Sequence, residues 1–495
     1  MEIGFQKKEF PCLTAAVNEV QNAEQTQELR LPDGMPDVGK VLCAWGQTIL
    51  RGKEWRSDSL TVSGGMLMWV LYAPEDGSEC RIVDGWLPFQ MRWQLPPELP
   101  EGSIRVAPLT RFADARSVSP RKLMLRAGIG VLAQGWIPTR LERWESGAVP
   151  EQVELLTRRY PIRLPREVGE KQFSMEEELR LGEPMDGILY YTLRPDILEQ
   201  KVLGGKIAFR GNGNLHILGR NGAGAVISQD FQLPFSQFAE LHESYDPDAQ
   251  ADVICAVTNL EVEQTEGALW VRCTIAAQYL VDQTTLVETV ADAYAPGREL
   301  NMETKTLEAP AILEKRMETV SSEANLQMDG VQADDILFLP DFPRQYREAG
   351  GIALEIPGTV QLLCQGSDGA LRAVSSRWEG KLTRPTGEDA ALTALPSTPP
   401  APQMTVSGGK ATLRAELPLS LTTTGGQGIP MVTALELGED TQPDPQRPSL
   451  ILRRAGTDSL WELAKATGST VAAIRCVNKL QDEPGPNQIL LIPVS

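Results

Sequence analysis

The feature that most narrows the folds open to this chain is that it repeats itself. Val62-Ser63-Gly64 through Val70-Leu71 lies on Phe209-Arg210-Gly211 through Ile217-Leu218 at a constant shift of 147 residues, from Gly64 to Gly211. Each run leads into turn-forming residues, Glu75-Asp76-Gly77 and Arg220-Asn221-Gly222. Leu87-Pro88-Phe89 returns as Leu233-Pro234-Phe235, and Leu123-Met124-Leu125-Arg126-Ala127 returns as Leu269-Trp270-Val271-Arg272-Cys273, both shifted by 146. A third, more diverged copy carries Ile356-Pro357-Gly358, a turn at Asp368-Gly369 and Ala411-Thr412-Leu413-Arg414-Ala415. A Pro-Asp-apolar step precedes each copy, at Pro36-Asp37-Val38, Pro195-Asp196-Ile197 and Pro340-Asp341-Phe342. Three units of about 140 residues are expected to account for most of the chain.

The late strand of each copy alternates with period two, the mark of a half-buried strand. Leu123, Leu125, Ala127, Ile129 and Val131 are expected to face a core, as are Leu269, Val271, Cys273, Ile275 and Ala277, and then Ala411, Leu413, Ala415, Leu417 and Leu419. Arg126, Arg272 and Arg414 then share one position on the opposite face, where cross-strand ion pairs are expected. Short alternating runs bounded by Gly, Pro, Asn and Asp predict a mainly β fold of antiparallel, sandwich or barrel-like domains.

One amphipathic helix is predicted over Glu151 to Tyr160, after Pro150 and ended by Pro161 and Pro165. Arg384 to Pro402 reads as a long loop. Glu439 to Ser449, with Pro443, Pro445 and Pro448, reads as a stiff linker. The expected domains are 1–160, 161–300 and 301–438, then a linker at 439–448 and a separate module at 449–495.

Charge and residue usage limit function. Lys and Arg total 47 against 66 Asp and Glu, so the net charge of −19 repels nucleic acid and anionic lipid. The longest apolar run, Met66 to Ala73, is too short to span a bilayer. Met1 to Pro11 has Lys7 and Lys8 but no apolar stretch behind them, so the chain is expected in the cytoplasm. Seven cysteines without a Cys-x-x-Cys pair read as reduced, mostly buried thiols.

His216 and His242 are the only imidazoles, which excludes a three-histidine metal site. His216 is expected to point outward from a strand and His242 to sit in a polar connection. Gly211-Asn212-Gly213 lacks the third glycine and helix of a dinucleotide site. The chain is therefore expected to have no catalytic residue, metal or cofactor, although abundant carboxylates leave an acid–base pair open.

Residues 449–495 change character to strand, helix, helix, strand. Ser459-Leu460-Trp461-Glu462 is a capping box, and Gly468 is placed to end the first helix. Ser469 or Thr470 caps a second helix with Val471, Ile474 and Val477 inward, and Ile489 to Pro493 form the closing strand. The module carries five basic and four acidic residues, a net of +1, on an acidic body.

This segment resembles a LysM domain through Asp458-Ser459-Leu460-Trp461-Glu462-Leu463-Ala464, Thr470-Val471-Ala472-Ala473-Ile474, Asn478-Lys479-Leu480 and Gln488-Ile489-Leu490-Leu491-Ile492-Pro493. It departs from that family at Thr457 and Asn487, where glycine is usual. The resemblance implies a small α+β fold, βααβ, with a shallow groove at Asp458, Ser459, Asn478, Lys479 and Leu480.

Three β-rich repeats, a Pro-rich linker and one LysM domain together resemble the clostridial spore-coat assembly proteins built from SPOCS domains, the SipL-like family. That resemblance implies a non-enzymatic scaffold in the mother-cell cytoplasm at the forespore surface, with the LysM domain docking a SpoIVA-like coat-basement ATPase. The alternative is a protein that binds peptidoglycan or N-acetylglucosamine polymers through the LysM domain. A single such module lacks the multivalency by which weak sugar binders gain affinity, which favours a protein partner.

Overall fold

The computed structural model describes residues 2–265, 267–327, 333–366, 370–407, 409–441, 448–485 and 487–494. The turn expected at Asp368-Gly369 and the linker prolines Pro443 and Pro445 lie outside the described residues. The chain is mainly β, and the strand pairings are antiparallel. Among the described residues no helix is long and apolar enough to cross a membrane.

The first segment holds β1 (Glu2–Ile3), β2 (Phe5–Arg30), β3 (Val38–Arg56), β4 (Ser59–Pro74), β5 (Arg81–Gln94), β6 (Ser103–Ser119) and β7 (Lys122–Ser146). The second holds β8 (Glu154–Arg180), β9 (Gly187–Val202), β10 (Lys206–Arg220), β11 (Val226–Glu240), β12 (Gln250–Thr265) and β13 (Ala268–Tyr294). The third holds β14 (Arg298–Gln327), β15 (Ala333–Pro340), β16 (Arg344–Glu348), β17 (Gly351–Gln365), β18 (Leu371–Pro385), β19 (Ala391–Pro396), β20 (Gln403–Ser407) and β21 (Lys410–Asp440). Then follow β22 (Leu450–Arg454), α1 (Leu460–Thr467), α2 (Val471–Asn478) and β23 (Ile489–Pro493).

In each segment the opening long strand pairs with the closing one, giving sheets ordered β2-β7-β6 and β8-β13-β12, and β14-β21 with β19 and β20 on β21. The intervening strands form a second sheet, β3-β4-β5, β9-β10-β11, or β15 and β16 with β18 on β17. The period-two rows of β7, β13 and β21 face the cores between these sheets: Leu123 through Val131, Leu269 through Ala277 and Ala411 through Leu419 are all essentially inaccessible. Gly64 stands across the ladder from Phe89, and Gly211 from Phe235. A Cβ at either glycine would strike the facing ring and a neighbouring carbonyl, of Ile49 or Asp196. The ring therefore lies over a bare backbone, which explains why Leu-Pro-Phe and glycine travel together.

Two expectations are corrected. No helix forms over Glu151 to Tyr160: a turn is followed by strand β8 from Glu154, which runs on through Pro161 and Pro165. β8 lies at the edge of its sheet, where alternate N–H groups face away from β13 and a proline at such a position costs no ladder bond. The loop read over Arg384 to Pro402 contains β19, whose Leu392 and Ala394 are buried against β21; the period-two signal was short and surrounded by Pro and Thr. The boundaries at 160/161 and 300/301 fall inside the continuous strands β8 and β14, and 438/439 inside β21.

The three segments meet one another in a closed set of contacts. Trp45 and Trp69 of the first, Tyr190 and Leu218 of the second, and Leu337 and Leu363 of the third share one apolar cluster. Trp45 stacks on Tyr190 at 4.5 Å between ring centroids. First to second, the Arg105 guanidinium is 2.7 Å from Asp252 and all but sealed from solvent, and Lys53 is 2.7 Å from Glu170. Second to third, the fully buried Asp282 takes Arg163 from its own segment and Lys315 from the next. First to third, Arg111 is 2.7 Å from Asp341. β1 then pairs with β21 at Glu2↔Glu436, joining the two ends of this ring.

Candidate functional site

The C-terminal strand–helix–helix–strand element builds its geometry from short, well-capped pieces. Ser459 Oγ accepts from the Glu462 N–H at 3.3 Å while the Glu462 carboxylate accepts from the Ser459 N–H at 2.8 Å, the reciprocal box that starts α1. Gly468 ends α1 at φ 63°. Thr470 caps α2 by accepting from the Ala473 N–H at 3.0 Å. Leu460, Leu463, Ala464, Ile474, Leu490 and Ile492 form the core, whereas Val477, expected inward, is exposed. The helix is short, and only its Ile474 stripe reaches the sheet.

The five expected groove residues fall on the β22–α1 loop and on the end of α2 with the turn after it, which the fold brings side by side. Asp458 accepts from Arg453 at 2.7 Å, and Ser459 is the cap. Asn478 is wholly engaged: its Nδ2 donates to the Ile474 and Leu491 carbonyls at 2.8 and 2.6 Å, and its Oδ1 accepts from the Leu491 N–H at 2.8 Å. It thereby ties α2 to β23. Lys479 ends α2 in the left-handed region at φ 53°, and Leu480 is half-buried against the core. Asn487 holds φ 65°, a conformation that favours glycine and that asparagine tolerates better than most residues.

Three residues that sequence reasoning missed hold this element in place. Glu483 joins the two loops by accepting from the Leu460 N–H at 3.0 Å. Asp292, near the end of β13, accepts from Trp461 Nε1 at 2.8 Å and from Lys465 Nζ at 2.6 Å, and Tyr294 packs edge-on against Trp461 at 4.8 Å. Burial alone would raise the Asp292 carboxyl, but the bonds from Lys465 and Trp461 outweigh it and hold it below its ordinary range. The element is thus seated on the second segment rather than hanging from a linker. No local sequence signal links Asp292 to Trp461 across 169 residues.

Elsewhere the expected residues take structural partners. Arg126 lies 2.6 Å from Glu24, Arg272 lies 2.7 Å from Glu176, and Arg414 lies 3.6 Å from Glu416 with its Nε donating to Ser321. His242 meets Glu167 at 2.8 Å. His216 does not point into solvent: β15 covers that face of β10, and the ring sits between Asp230 at 2.8 Å and Asp335 at 3.2 Å. Desolvation lowers its affinity for a proton, but both carboxylates raise it further, to about 9. A histidine that holds its proton through neutral pH is a cationic strut and a poor general base. It borders a cavity of about 840 Å³ whose wall also carries Arg194, Asn214 and the Thr398–Pro402 stretch. Burial raises the thiols of Cys12 and Cys273 to about 11 and that of Cys255 to about 12, which leaves them unreactive.

Comparison with protein-family models, with curated proteins and with solved structures returned no match for this chain.

Proposed function

We propose that this chain is a non-enzymatic scaffold of the SipL-like class. In this reading the three β-rich segments are copies of one SPOCS-like unit, and residues 449–495 are a LysM domain that docks a SpoIVA-like ATPase at the forespore surface within the mother cell. The observation that carries the reading is the C-terminal element itself, a capped βααβ unit of net charge +1 seated on a strongly acidic body. Ser459 and Asn478 are committed to the element's own fold, which leaves its main chain and outer surface to meet a partner. The test is deletion of 449–495 from a fluorescently tagged chain. Loss of the forespore signal, with the far-ultraviolet β spectrum of the truncated body unchanged, is expected. Unchanged localisation would overturn the reading, and retention on purified cell wall instead of the ATPase would replace it with a glycan-binding one.

A further inference from the structure

The two-stranded sheet β22–β23 has two unlike edges. Along β23 the main chain of Leu491 points away from β22, because its N–H and carbonyl are both taken by the Asn478 side chain. Leu491 stands opposite Leu452, so that pair exchanges no ladder bonds. The residues of β22 that bond across are the odd-numbered ones, in line with Val494 N–H to the Ser449 carbonyl and Ala455 N–H to the Gln488 carbonyl at 3.0 and 2.7 Å. By alternation, the N–H and carbonyl groups of Leu450, Leu452 and Arg454 point outward from the far edge of β22. Among the described residues no main-chain group bonds to them.

The side chains on this edge match its main chain. Leu450, Leu452 and Arg454 share one face with Pro493, Leu491 and Ile489 across the ladder. Both helices pack on the other face, so Leu452 is 68% and Ile489 57% exposed. Arg453, Lys465 and Arg475 each have a carboxylate, to Asp458, Asp292 and Glu483, whereas Arg454 has none among the described residues. Proteins normally blunt such an edge. Here it is long enough for three outward positions, two of them the exposed leucines Leu450 and Leu452.

We propose that β22 is a docking edge which accepts an extended segment of a partner protein as a third strand. The inference rests on reading 449–495 as the partner-docking module, and it specifies what the module recognises. The incoming strand carries apolar residues at alternate positions, which lie beside Leu450 and Leu452, and a carboxylate next to Arg454. Main-chain bonds supply affinity and the alternate side chains supply selectivity. A second copy of this chain is the lesser occupant, since it would bring together two molecules of charge −19.

The test uses the full chain and a fluorescein-labelled peptide, Glu-Thr-Val-Thr-Val-Thr, read by anisotropy and by amide hydrogen exchange. Binding is expected with slowed exchange at Leu450, Leu452 and Arg454. Leu452→Pro removes one outward N–H without touching the β22–β23 ladder and should weaken binding by about tenfold or more. The same peptide N-methylated at its ladder-facing amides should fail against the unaltered protein, which keeps the test valid if the variant misfolds. Equal binding of the methylated peptide, protection confined to other residues, or a chain that dimerises through this edge would overturn the proposal. Leu452→Pro that localises normally, while deletion of 449–495 does not, would sink the edge and leave the docking module standing. Peptide binding at the edge with localisation unaffected by the deletion would do the reverse.

Discussion

The three-segment body and the C-terminal element are both β-containing units with small apolar cores, yet they are joined to their neighbours in opposite ways. The segments meet through charges taken out of water: Arg105 is nearly inaccessible, and Asp282 is fully so between Arg163 and Lys315. The C-terminal element meets the second segment through one partly exposed carboxylate, Asp292, and one aromatic edge. A buried charge that loses its partner is left in a poor solvent, whereas an exposed one is promptly rehydrated. The body is thus obliged to stay assembled. The C-terminal element is held by a smaller contact, with the Tyr294 ring buried against its core and a charge pair that water can replace.

The sharpest way to break this comparison is Asp282→Ala, which strands Lys315 and Arg163. A loss of about 3–5 kcal/mol in urea unfolding is expected. A loss near zero would mean that water already reaches the junction and that the segments are as loosely joined as the C-terminal element. Substituting Lys315→Met in the same chain should recover part of the loss by removing the orphaned charge.

A smaller effect is expected from pH acting on the second-to-third junction. His216 is raised from 6.5 to about 9, so the stability it contributes is complete below 6.5 and is lost as pH rises through 9. The urea midpoint should fall between these values in the native protein and stay flatter in His216→Gln. Parallel curves for the two proteins would remove His216 from the junction.

The smallest effect belongs to the other side of the comparison. Asp292→Asn keeps a polar group for Trp461 but cancels the pair with Lys465, at a cost of about 1 kcal/mol or less. Release should be visible as a change in Trp461 emission and as faster proteolytic removal of the C-terminal element, with the body's urea midpoint unmoved. The lowered carboxyl of Asp292 adds a sign. Docking is complete above the ordinary aspartate range of about 4 and weakens as pH falls through the lower value. A midpoint that shifts with Asp292→Asn would show that the two parts unfold together.

Much of the strand architecture is legible in short-range pattern. The rows from Leu123, Leu269 and Ala411 stand out because one face of each strand is dry and the other is wet, and Arg126 and Arg272 mark the wet side. The caps at Ser459 and Thr470 are equally local, since a cap is a bond between residues three apart. The junctions are another matter. Trp45 on Tyr190, Arg111 on Asp341 and Trp461 on Asp292 join residues from different segments with no shared period. Strand β8 shows the same limit from the other side: its prolines read as helix stops because nothing nearby reveals that they sit on a sheet edge. His216 was misplaced for that reason too, as the element that covers it, β15, arrives more than a hundred residues later.

The contact between Arg111 and Asp341 also sets a timetable. These partners are 230 residues apart, so at roughly 5–20 residues per second the guanidinium leaves the ribosome about 10–50 s before its carboxylate exists. Until then the first segment has its own apolar core but a bare flank that includes Trp45 and Trp69. The ring is therefore completed after most of the chain has been made, and for those seconds the nascent protein carries a surface that the finished molecule never shows.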